Sequence, residues 1–448
     1  MPIEAGLARI SAEAEDRDAF DLDRPLAPGA LTPRGRIATL CDPGTFFEMA
    51  AMARSHHREA HGATPADGVI TGFGRIGGRE VALIVEDAKA LAASDGAVGR
   101  NKRLKLLSHA IQGAVPIVYI ADGAGPASFD VPGRLLGGYA ETLVAGAELD
   151  LNGRRAPLIT VVAGRCEGVD ALLAAAADVV VATKHARGPV LADVAGDSDA
   201  GVLDTVRALL GLIPSAAAVE LVPSAAAPPA GALADDLAPA DLSLDALLEG
   251  LLDVGSVRFG ACGSVVTGVG RVEGHAVVFA AGSGALSHAE LGAVARAAHL
   301  SSRFALPFLA IAHGAAYPDF ADGPQQLAAL AAATSALHQS GSPKLALITR
   351  SGHTLGGFVL GGRELGFDYA AAWALADVGT ADIPVYGVSV RDGEAGIGPW
   401  AAAGAGLLDD ILAPSESRGR LGRVLDLMGP SRATPSAKGA EGGRLIYR

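Results

Sequence analysis

The stretch that decides the fold is Asp67-Gly-Val-Ile-Thr-Gly-Phe-Gly-Arg-Ile-Gly-Gly-Arg-Glu-Val81, because the chain contains it twice. The second copy reads Ser264-Val-Val-Thr-Gly-Val-Gly-Arg-Val-Glu-Gly-His-Ala-Val277, and Thr71 and Thr267 stand 196 residues apart. Each copy predicts a glycine-rich turn that leads into a buried strand. The repetition indicates that the molecule consists of two related halves.

The glycine pairs inside the two copies precede strands rather than helices, so we predict that they are turns; they are Gly72 with Gly74 and Gly268 with Gly270. The elements that follow each copy also repeat. Segment 306–315 corresponds to 115–124, segment 343–348 corresponds to 157–162, and segment 368–373 corresponds to 178–182. Helices are predicted at 97–112 and 171–177. Strand, glycine loop and helix in series predict parallel sheets with helical crossovers, that is, an α/β fold.

Length and composition limit the classes of protein. A chain of 448 residues suits two domains. A net charge of −13 argues against nucleic-acid binding, and no apolar run approaches the ~20 residues of a membrane helix. The start lacks the regions of a signal peptide, and the three cysteines form no CxxC pair. We therefore expect a cytoplasmic protein without a structural metal.

The Pro/Ala-rich stretch 214–230 reads as a linker, and we place the junction near residue 230. This predicts four segments: an irregular arm (1–30), an N-terminal domain (31–230), a C-terminal domain (231–430) and a tail (431–448).

Strands that end in a glycine loop and open a helix leave N–H groups unpaired at the helix start, which can bind a phosphate or hold an oxyanion. None of the loops matches a nucleotide-binding motif or a nucleophile elbow. Lys102 and Arg103, in a basic cluster with Arg100 and Lys105, could bind phosphates or form a solvated basic face. His313 could be a general base or a hydrogen-bonded histidine at a strand end.

Several motifs, in this order, carry a resemblance to a known family. They are Leu31-Thr-x-Arg-x-Arg-Ile37, Leu40-x-Asp-Pro-Gly-Thr-Phe-Phe-Glu48, Asp67-Gly-Val-x-x-Gly-x-Gly-x-x-x-Gly78 and the closing segment Gly406–Arg418. Over roughly residues 30–428 the chain resembles the carboxyltransferase (beta) subunit of biotin-dependent acyl-CoA carboxylases of the propionyl- and acetyl-CoA type, as a divergent member. The resemblance implies two crotonase-like (ClpP/crotonase) domains formed by internal duplication.

The resemblance also implies a backbone oxyanion hole in each half, one for the thioester enolate and one for the biotin ureido oxygen. The family's loops fall on 164–170 and 355–359, which assigns the catalytic N–H groups to Gly168, Val169, Gly357 and Phe358. The residues expected to contact the substrate are Gly123, Ala124, Gly125, Lys102, Arg103, His313, Gly314 and Gly356. The biotin would be on a separate carrier protein, and a homo-oligomer and a biotin carboxylase partner are implied.

Three functions remain open, because the glycine loops depart from the family pattern. The first is carboxyl transfer between biotin and a short-chain acyl-CoA. The second is biotin-independent decarboxylation of a malonyl-type thioester, since segment 353–362 also looks like a loop of malonate decarboxylase. The third is a non-catalytic subunit of a carboxylase complex.

Overall fold

The structure is a computed structural model that describes residues 3–22, 27–55, 65–88, 90, 97–123, 154–216, 223–236, 238–314, 323–353, 359–362, 365–379 and 398–428. These residues belong to two compact units that divide after Ala216. The Pro/Ala-rich stretch led us to place the junction near residue 230, and the domain bounds stay a prediction. Each unit contains one large mixed sheet, which confirms the α/β class.

The strands of the first unit lie in the sheet in chain order. Within the described residues they are β1 (Phe47–Met49), β2 (Val69–Ile76), β3 (Arg79–Glu86), β4 (Ile117–Ala121), β5 (Leu158–Val162), β6 (Val179–Thr183) and β7 (Val194–Gly196). The first three pair antiparallel, and the pairs from β3 to β7 are parallel. The central strands β4 and β5 are buried at every position.

The second unit repeats this order with different strands. Its large sheet consists of β8 (Val257–Arg258), β9 (Val265–Val272), β10 (His275–Gly282), β11 (Phe308–Ala312), β12 (Lys344–Ile348), β14 (Tyr369–Trp373) and β16 (Asp410–Leu412). A small parallel pair is formed by β13 (Ser351–His353) and β15 (Asp377–Gly379). The first three strands again pair antiparallel and the others parallel.

Helices connect these strands. In the part of the chain that the structure describes they are α1 (Ile3–Leu22), α2 (Pro33–Leu40), α3 (Ala97–Gln112), α4 (Gly168–Ala175), α5 (Asp199–Leu212), α6 (Leu244–Leu251), α7 (His288–Phe304), α8 (Pro324–Gln339), α9 (Pro399–Gly404) and α10 (Ser417–Met428). The predicted bounds of α3 are confirmed. The helix predicted at 171–177 instead begins at Gly168, which brings the predicted oxyanion residues into its first turn.

The prediction of an irregular arm is wrong for most of its length, because residues 3–22 form α1. The helix is rich in Ala, Glu, Asp, Arg and Leu, and most of these have good helix propensity. Glu13 also pairs with Arg54 at 2.6 Å, which attaches the helix to the segment after β1.

The two large sheets share their strand register. Val69 on β2 pairs with Glu86 on β3, and Val265 on β9 pairs with Gly282 on β10, so both partners stand 196 residues apart. Carboxylates that receive backbone N–H groups repeat in the same way. Asp178 accepts the N–H at the start of β5 at 2.8 Å, and Asp368 accepts the N–H at the start of β12 at 2.9 Å.

The prediction that the paired glycines are turns is wrong, because they lie inside β2 and β9. A Cβ atom at Gly72 would lie 2.3 Å from the carbonyl oxygen of Phe47, and one at Gly268 would lie 2.3 Å from that of Val257. Glycine is therefore required where the short edge strands β1 and β8 approach closely. The turns begin where each of these strands ends, after Ile76 in β2 and after Val272 in β9.

The repeat extends further toward the N terminus than we predicted. Thr32 caps α2 and Ser243 caps α6, and these residues stand 211 positions apart. After each helix an aspartate binds the hairpin turn of its own half. Asp42 accepts two N–H groups of the β2–β3 turn at 3.0 and 2.7 Å, and Asp253 accepts two of the β9–β10 turn at 3.0 and 2.9 Å. The repeated unit thus includes a helix, an aspartate and a hairpin.

Candidate active site

The carboxyl ends of β3, β4 and β5 meet at one edge of the first sheet, which we call the carboxyl edge. It carries Glu86, Asp122 and the segment that follows Val162. Helix α4 begins at this edge, because only five residues separate its first residue, Gly168, from the end of β5. In α/β sheets, ligands bind at the carboxyl ends of the parallel strands, so this edge is the place to look for a site.

Backbone hydrogen bonds on both sides hold the loop between β5 and α4. The N–H groups of Ala163 and Gly164 both donate to the carbonyl of Ala121, at 2.9 and 3.3 Å. The N–H of Cys166 donates to the carbonyl of Arg187 at 2.8 Å. The start of α4 is therefore fixed in place before any ligand arrives, as a preorganised oxyanion site requires.

The first turn of α4 contains Gly168 and Val169, and the side chain of its N-cap residue does not cap it. The N-cap residue, Glu167, makes no side-chain hydrogen bond to the helix. Its carboxylate instead pairs with Arg165 at 2.8 Å, and both side chains are about half exposed. The N–H groups of a first helical turn have no partner within the helix, and the helix dipole favours negative charge there.

Arg103 lies in the core behind this turn and not at a phosphate site. It is 2% exposed, and its Nη1 donates to Asp170 Oδ1 at 2.7 Å and to Glu86 Oε1 at 2.8 Å. Tyr119 donates its hydroxyl to Glu86 Oε1 at 2.7 Å. Burial and the Asp170 carboxylate raise the pKa of Glu86 well above its ordinary value. Burial in this cluster therefore favours the protonated form of Glu86.

Lys102 is also buried, since it is 6% exposed and its ammonium donates to the carbonyls of Ala66 and Val69. It supports the turn before β2, where Ala66 and Asp67 both have positive φ. Both the expected phosphate contact and the alternative of a solvated basic face are therefore unsupported for Lys102 and Arg103. Their side chains are engaged by the protein itself.

A second buried ion pair connects the carboxyl edge to α2. The Arg36 guanidinium donates to Asp122 Oδ2 at 2.8 Å and to Asp199 Oδ2 at 2.7 Å. The Asp122 carboxylate lies close to the β5–α4 loop, because a Cβ at Gly164 would be 1.9 Å from its Oδ1. Gly123 donates its N–H to the carbonyl of Arg165 at 2.9 Å, so this N–H supports the loop. Ala124 and Gly125 lie outside the described residues.

The thiol of Cys166 is not a nucleophile in this setting. It is buried just before α4, and burial raises its pKa above the ordinary thiol value. A thiol is unreactive compared with a thiolate.

The corresponding edge of the second sheet carries His313 and Gly314. His313 is 2% exposed, its Nε2 lies 2.6 Å from the carbonyl oxygen of Leu242, and its Nδ1 lies 2.7 Å from Thr349 Oγ1. Burial lowers its pKa, so the neutral ring donates from Nε2 and accepts at Nδ1. The N–H of Gly314 donates to Ser351 at 3.1 Å. These contacts support the interpretation of His313 as a hydrogen-bonded histidine at a strand end.

The other residues predicted for the second site, Gly356, Gly357 and Phe358, lie outside the described residues. The structure describes the chain up to His353 and again from Val359, which is buried with Leu360.

Comparison with known proteins shows what this chain is similar to. Residues 25–192 match the model of the carboxyl transferase domain. The biotin-dependent acetyl-/propionyl-coenzyme A carboxylase beta5 subunit of Mycobacterium tuberculosis is 25% identical, over 90% of this chain and 87% of its own. The propionyl-CoA carboxylase carboxyltransferase subunit of Haloferax mediterranei is 25% identical, over 92% of each chain. The chain is thus similar, at 25% identity, to carboxyltransferase and beta subunits of these carboxylases. The predicted family resemblance is thereby confirmed.

The fold of this chain matches a solved structure as well. The crystal structure of the transcarboxylase 12S hexamer with hydrolysed methylmalonyl-coenzyme A superimposes with a TM-score of 0.83, at 20% identity and over 95% of this chain and 96% of that one. The methylmalonyl-CoA carboxyltransferase 12S subunit of Propionibacterium freudenreichii subsp. shermanii is 24% identical over 96% of both chains. Among the residues that the structure of this chain describes, no helix is both long and apolar enough to cross a membrane.

Sequence reasoning missed the buried charges behind α4. Glu86, Arg103 and Asp170 are far apart in the chain, so no local motif connects them. One signal was available, because Glu86 directly follows the apolar run 81–85. A carboxylate at the end of a buried strand needs a buried partner.

Proposed function

We propose that this protein is a carboxyltransferase that acts on a short-chain acyl-CoA of the acetyl- or propionyl-CoA type, with biotin on a separate carrier protein. The observation that supports this most directly is the first turn of α4, which begins at the carboxyl edge without a side-chain cap. Relatives that are named as carboxyltransferases or carboxylase beta subunits match over most of both chains. We take both halves to be crotonase-like domains formed by duplication.

The N–H groups of Gly168 and Val169 would hold the thioester oxygen as it becomes an enolate. Fixed N–H donors stabilise a developing oxyanion, and loss of one donor typically lowers kcat by about 10²–10³. The hydrogen bonds from Ala163, Gly164 and Cys166 would keep these donors in place during the reaction. No side-chain nucleophile is needed, which agrees with the high pKa of the buried Cys166 thiol.

In the second half, the N–H groups of Gly357 and Phe358 would hold the ureido oxygen of the carrier's biotin. The carrier's biotin supplies or accepts the carboxyl group when it is bound. At the described part of that edge, His313 and Gly314 offer the biotin no free donor. Both ring nitrogens of His313 and the N–H of Gly314 are hydrogen-bonded within the protein. Gly356 would instead allow the loop to approach the bound group closely.

The proposed partners follow from the relatives. We propose a homo-oligomer, a biotin carboxylase with a biotin carrier as partners, and a cytoplasmic location. No metal takes part in the proposed reaction.

A second candidate function is supported by the difference between the two edges. Biotin-independent decarboxylation of a malonyl-type thioester needs an oxyanion hole for the enolate only, and the α4 turn would provide it. The engaged groups of His313 and Gly314 favour this alternative, because they reduce the number of donors that a biotin could use.

The test is to incubate the purified protein with malonyl-CoA and with methylmalonyl-CoA, in the absence of biotin, with free biotin and with a biotinylated carrier. Loss of the carboxyl group that depends on biotin supports the carboxyltransferase. Loss of the carboxyl group without biotin selects the decarboxylase. A protein that neither binds CoA thioesters nor turns them over would contradict both and leave a non-catalytic subunit.

A further inference from the structure

Arg103 lies directly behind the proposed oxyanion turn. We propose that Arg103 is a positioning residue that holds the Asp170 carboxylate in the core and so keeps its negative charge away from the first turn of α4, where the thioester oxygen would become an enolate. This inference rests on the proposed function of that turn.

Asp170 stands at a position of α4 from which an acidic side chain often caps its own helix. Asp170 is the third residue of α4, and an acidic residue at the third position commonly folds back to accept the N–H of the N-cap. Helix α7 in this same protein does so, because Glu290, its third residue, accepts the N–H of Ser287 at 2.6 Å. Asp170 instead accepts from Arg103 at 2.7 Å.

The surroundings of Arg103 explain why Asp170 stays in the core. Arg103 is fixed by Glu86 at 2.8 Å, and Glu86 also accepts the hydroxyl of Tyr119 and, at 3.2 Å, the N–H of Asp122. These contacts connect Arg103 to β3, to β4 and to the carboxyl edge. The guanidinium therefore has a fixed position toward which the Asp170 carboxylate is drawn, away from the N–H groups of its own helix.

The other acidic residue near the turn is treated in the same way at the surface. Glu167, the N-cap, pairs with Arg165 and not with the helix. A carboxylate at the first turn would repel the negative charge of the enolate. Asp170 and Glu167, the two acidic residues at the described start of α4, are each paired with an arginine.

The experiment removes the arginine and then removes the carboxylate that it holds. Arg103→Met alone would leave two carboxyl groups in the core, so it is made together with Glu86→Gln, which preserves the size of that side chain. The four proteins are Glu86→Gln, Asp170→Ala, Glu86→Gln/Arg103→Met and Glu86→Gln/Arg103→Met/Asp170→Ala. The measurements are kcat and KM for methylmalonyl-CoA, and amide hydrogen exchange of residues 167–170.

We expect Glu86→Gln/Arg103→Met to lower kcat by about tenfold relative to Glu86→Gln, with a smaller change in KM, because the freed Asp170 carboxylate turns to the N–H of Glu167 at the start of α4 and opposes the negative charge of the enolate there. Adding Asp170→Ala should restore most of that loss, although it removes a further buried group. A merely structural role of Arg103 would not be rescued in this way. A triple variant as slow as the double variant, or an Asp170→Ala variant as slow as the double variant, would overturn the inference.

Hydrogen exchange separates this inference from the proposed function, since it needs no turnover. Amide exchange at Glu167 should slow in Glu86→Gln/Arg103→Met, because its N–H gains the Asp170 carboxylate as an acceptor, and should return to the fast rate when Asp170→Ala is added. Unchanged exchange in the double variant would overturn the positioning role. Slowed exchange in a protein that turns over no thioester would support the positioning role and contradict the proposed function.

Discussion

The two sheets of this protein share a scaffold but differ at the carboxyl edge. Aspartates that accept backbone N–H groups occur at corresponding positions in both halves. Asp178 and Asp368 are one such pair. At the carboxyl edge, Glu86 stands where the second half has Gly282, and Tyr119 stands where it has Ala310. The shared scaffold therefore accommodates a charged cluster in the first half and small residues at the corresponding positions of the second half.

This difference separates residues that build the fold from residues that serve a site. An interaction present in both halves is needed to make either half. A buried charged cluster in one half is costly for folding unless every charge is paired. Its restriction to the half that carries the α4 turn agrees with a role at that turn.

Replacement of Arg36 by leucine, the residue at the corresponding position 247, should have the largest effect on stability. It leaves Asp122 and Asp199 in the core without their shared cation. We expect a loss of about 3–5 kcal/mol in the free energy of unfolding, measured by denaturant titration. The matched control is Arg34→Leu, which removes the more exposed pair with Glu48 and should cost less than about 1 kcal/mol. Equal losses would contradict this distinction.

The aspartates of the two hairpin turns test the shared scaffold. Asp253 is 4% exposed and also pairs with Arg418 at 2.9 Å, whereas Asp42 is more exposed. We expect Asp253→Asn to lower the free energy of unfolding by about 1–3 kcal/mol, because a buried acceptor of charged and backbone donors is weakened. Asp42→Asn should destabilise the protein less. A larger loss for Asp42→Asn would show that burial does not rank the two turns.

The pH dependence of stability should show the contribution of His313. Burial lowers its pKa in the folded protein, so below about pH 6.5 the unfolded chain takes up the proton first and stability falls as the pH decreases. The variant His313→Gln cannot titrate at this position, and its free energy of unfolding should fall less between pH 7.5 and pH 5 than that of the unmodified protein. Parallel curves would mean that His313 contributes nothing to this slope.

Much of the fold could be predicted from the sequence, because repeats and apolar runs are local signals. The bounds of α3 and β5 and the order of the two halves follow from them. The glycines of β2 and β9 were misplaced as turns, since their cause is the close approach of an edge strand, which no local pattern reveals. Helix α1 was missed because an acidic segment without an apolar stripe resembles an irregular arm.

The candidate site could be predicted only in part. Resemblance indicated the loop at 164–170, and the structure shows that Gly168 opens a helix, but the role of its N–H stays a prediction. The basic residues Lys102 and Arg103 were misinterpreted because their direction depends on tertiary packing. Sequence shows that they are charged, and only the fold shows that Ala66, Glu86 and Asp170 engage them.

The central claim is that the backbone N–H at the start of α4 holds the enolate, and one comparison of kcat tests it most directly. Gly168→Pro removes this N–H at the first helical position, where proline is well tolerated, and Glu167 before it already has an extended backbone. Gly168→Ala adds a Cβ but keeps the N–H. We predict that kcat for methylmalonyl-CoA is about 10²–10³ lower in Gly168→Pro than in Gly168→Ala. Equal kcat in the two variants would contradict the account.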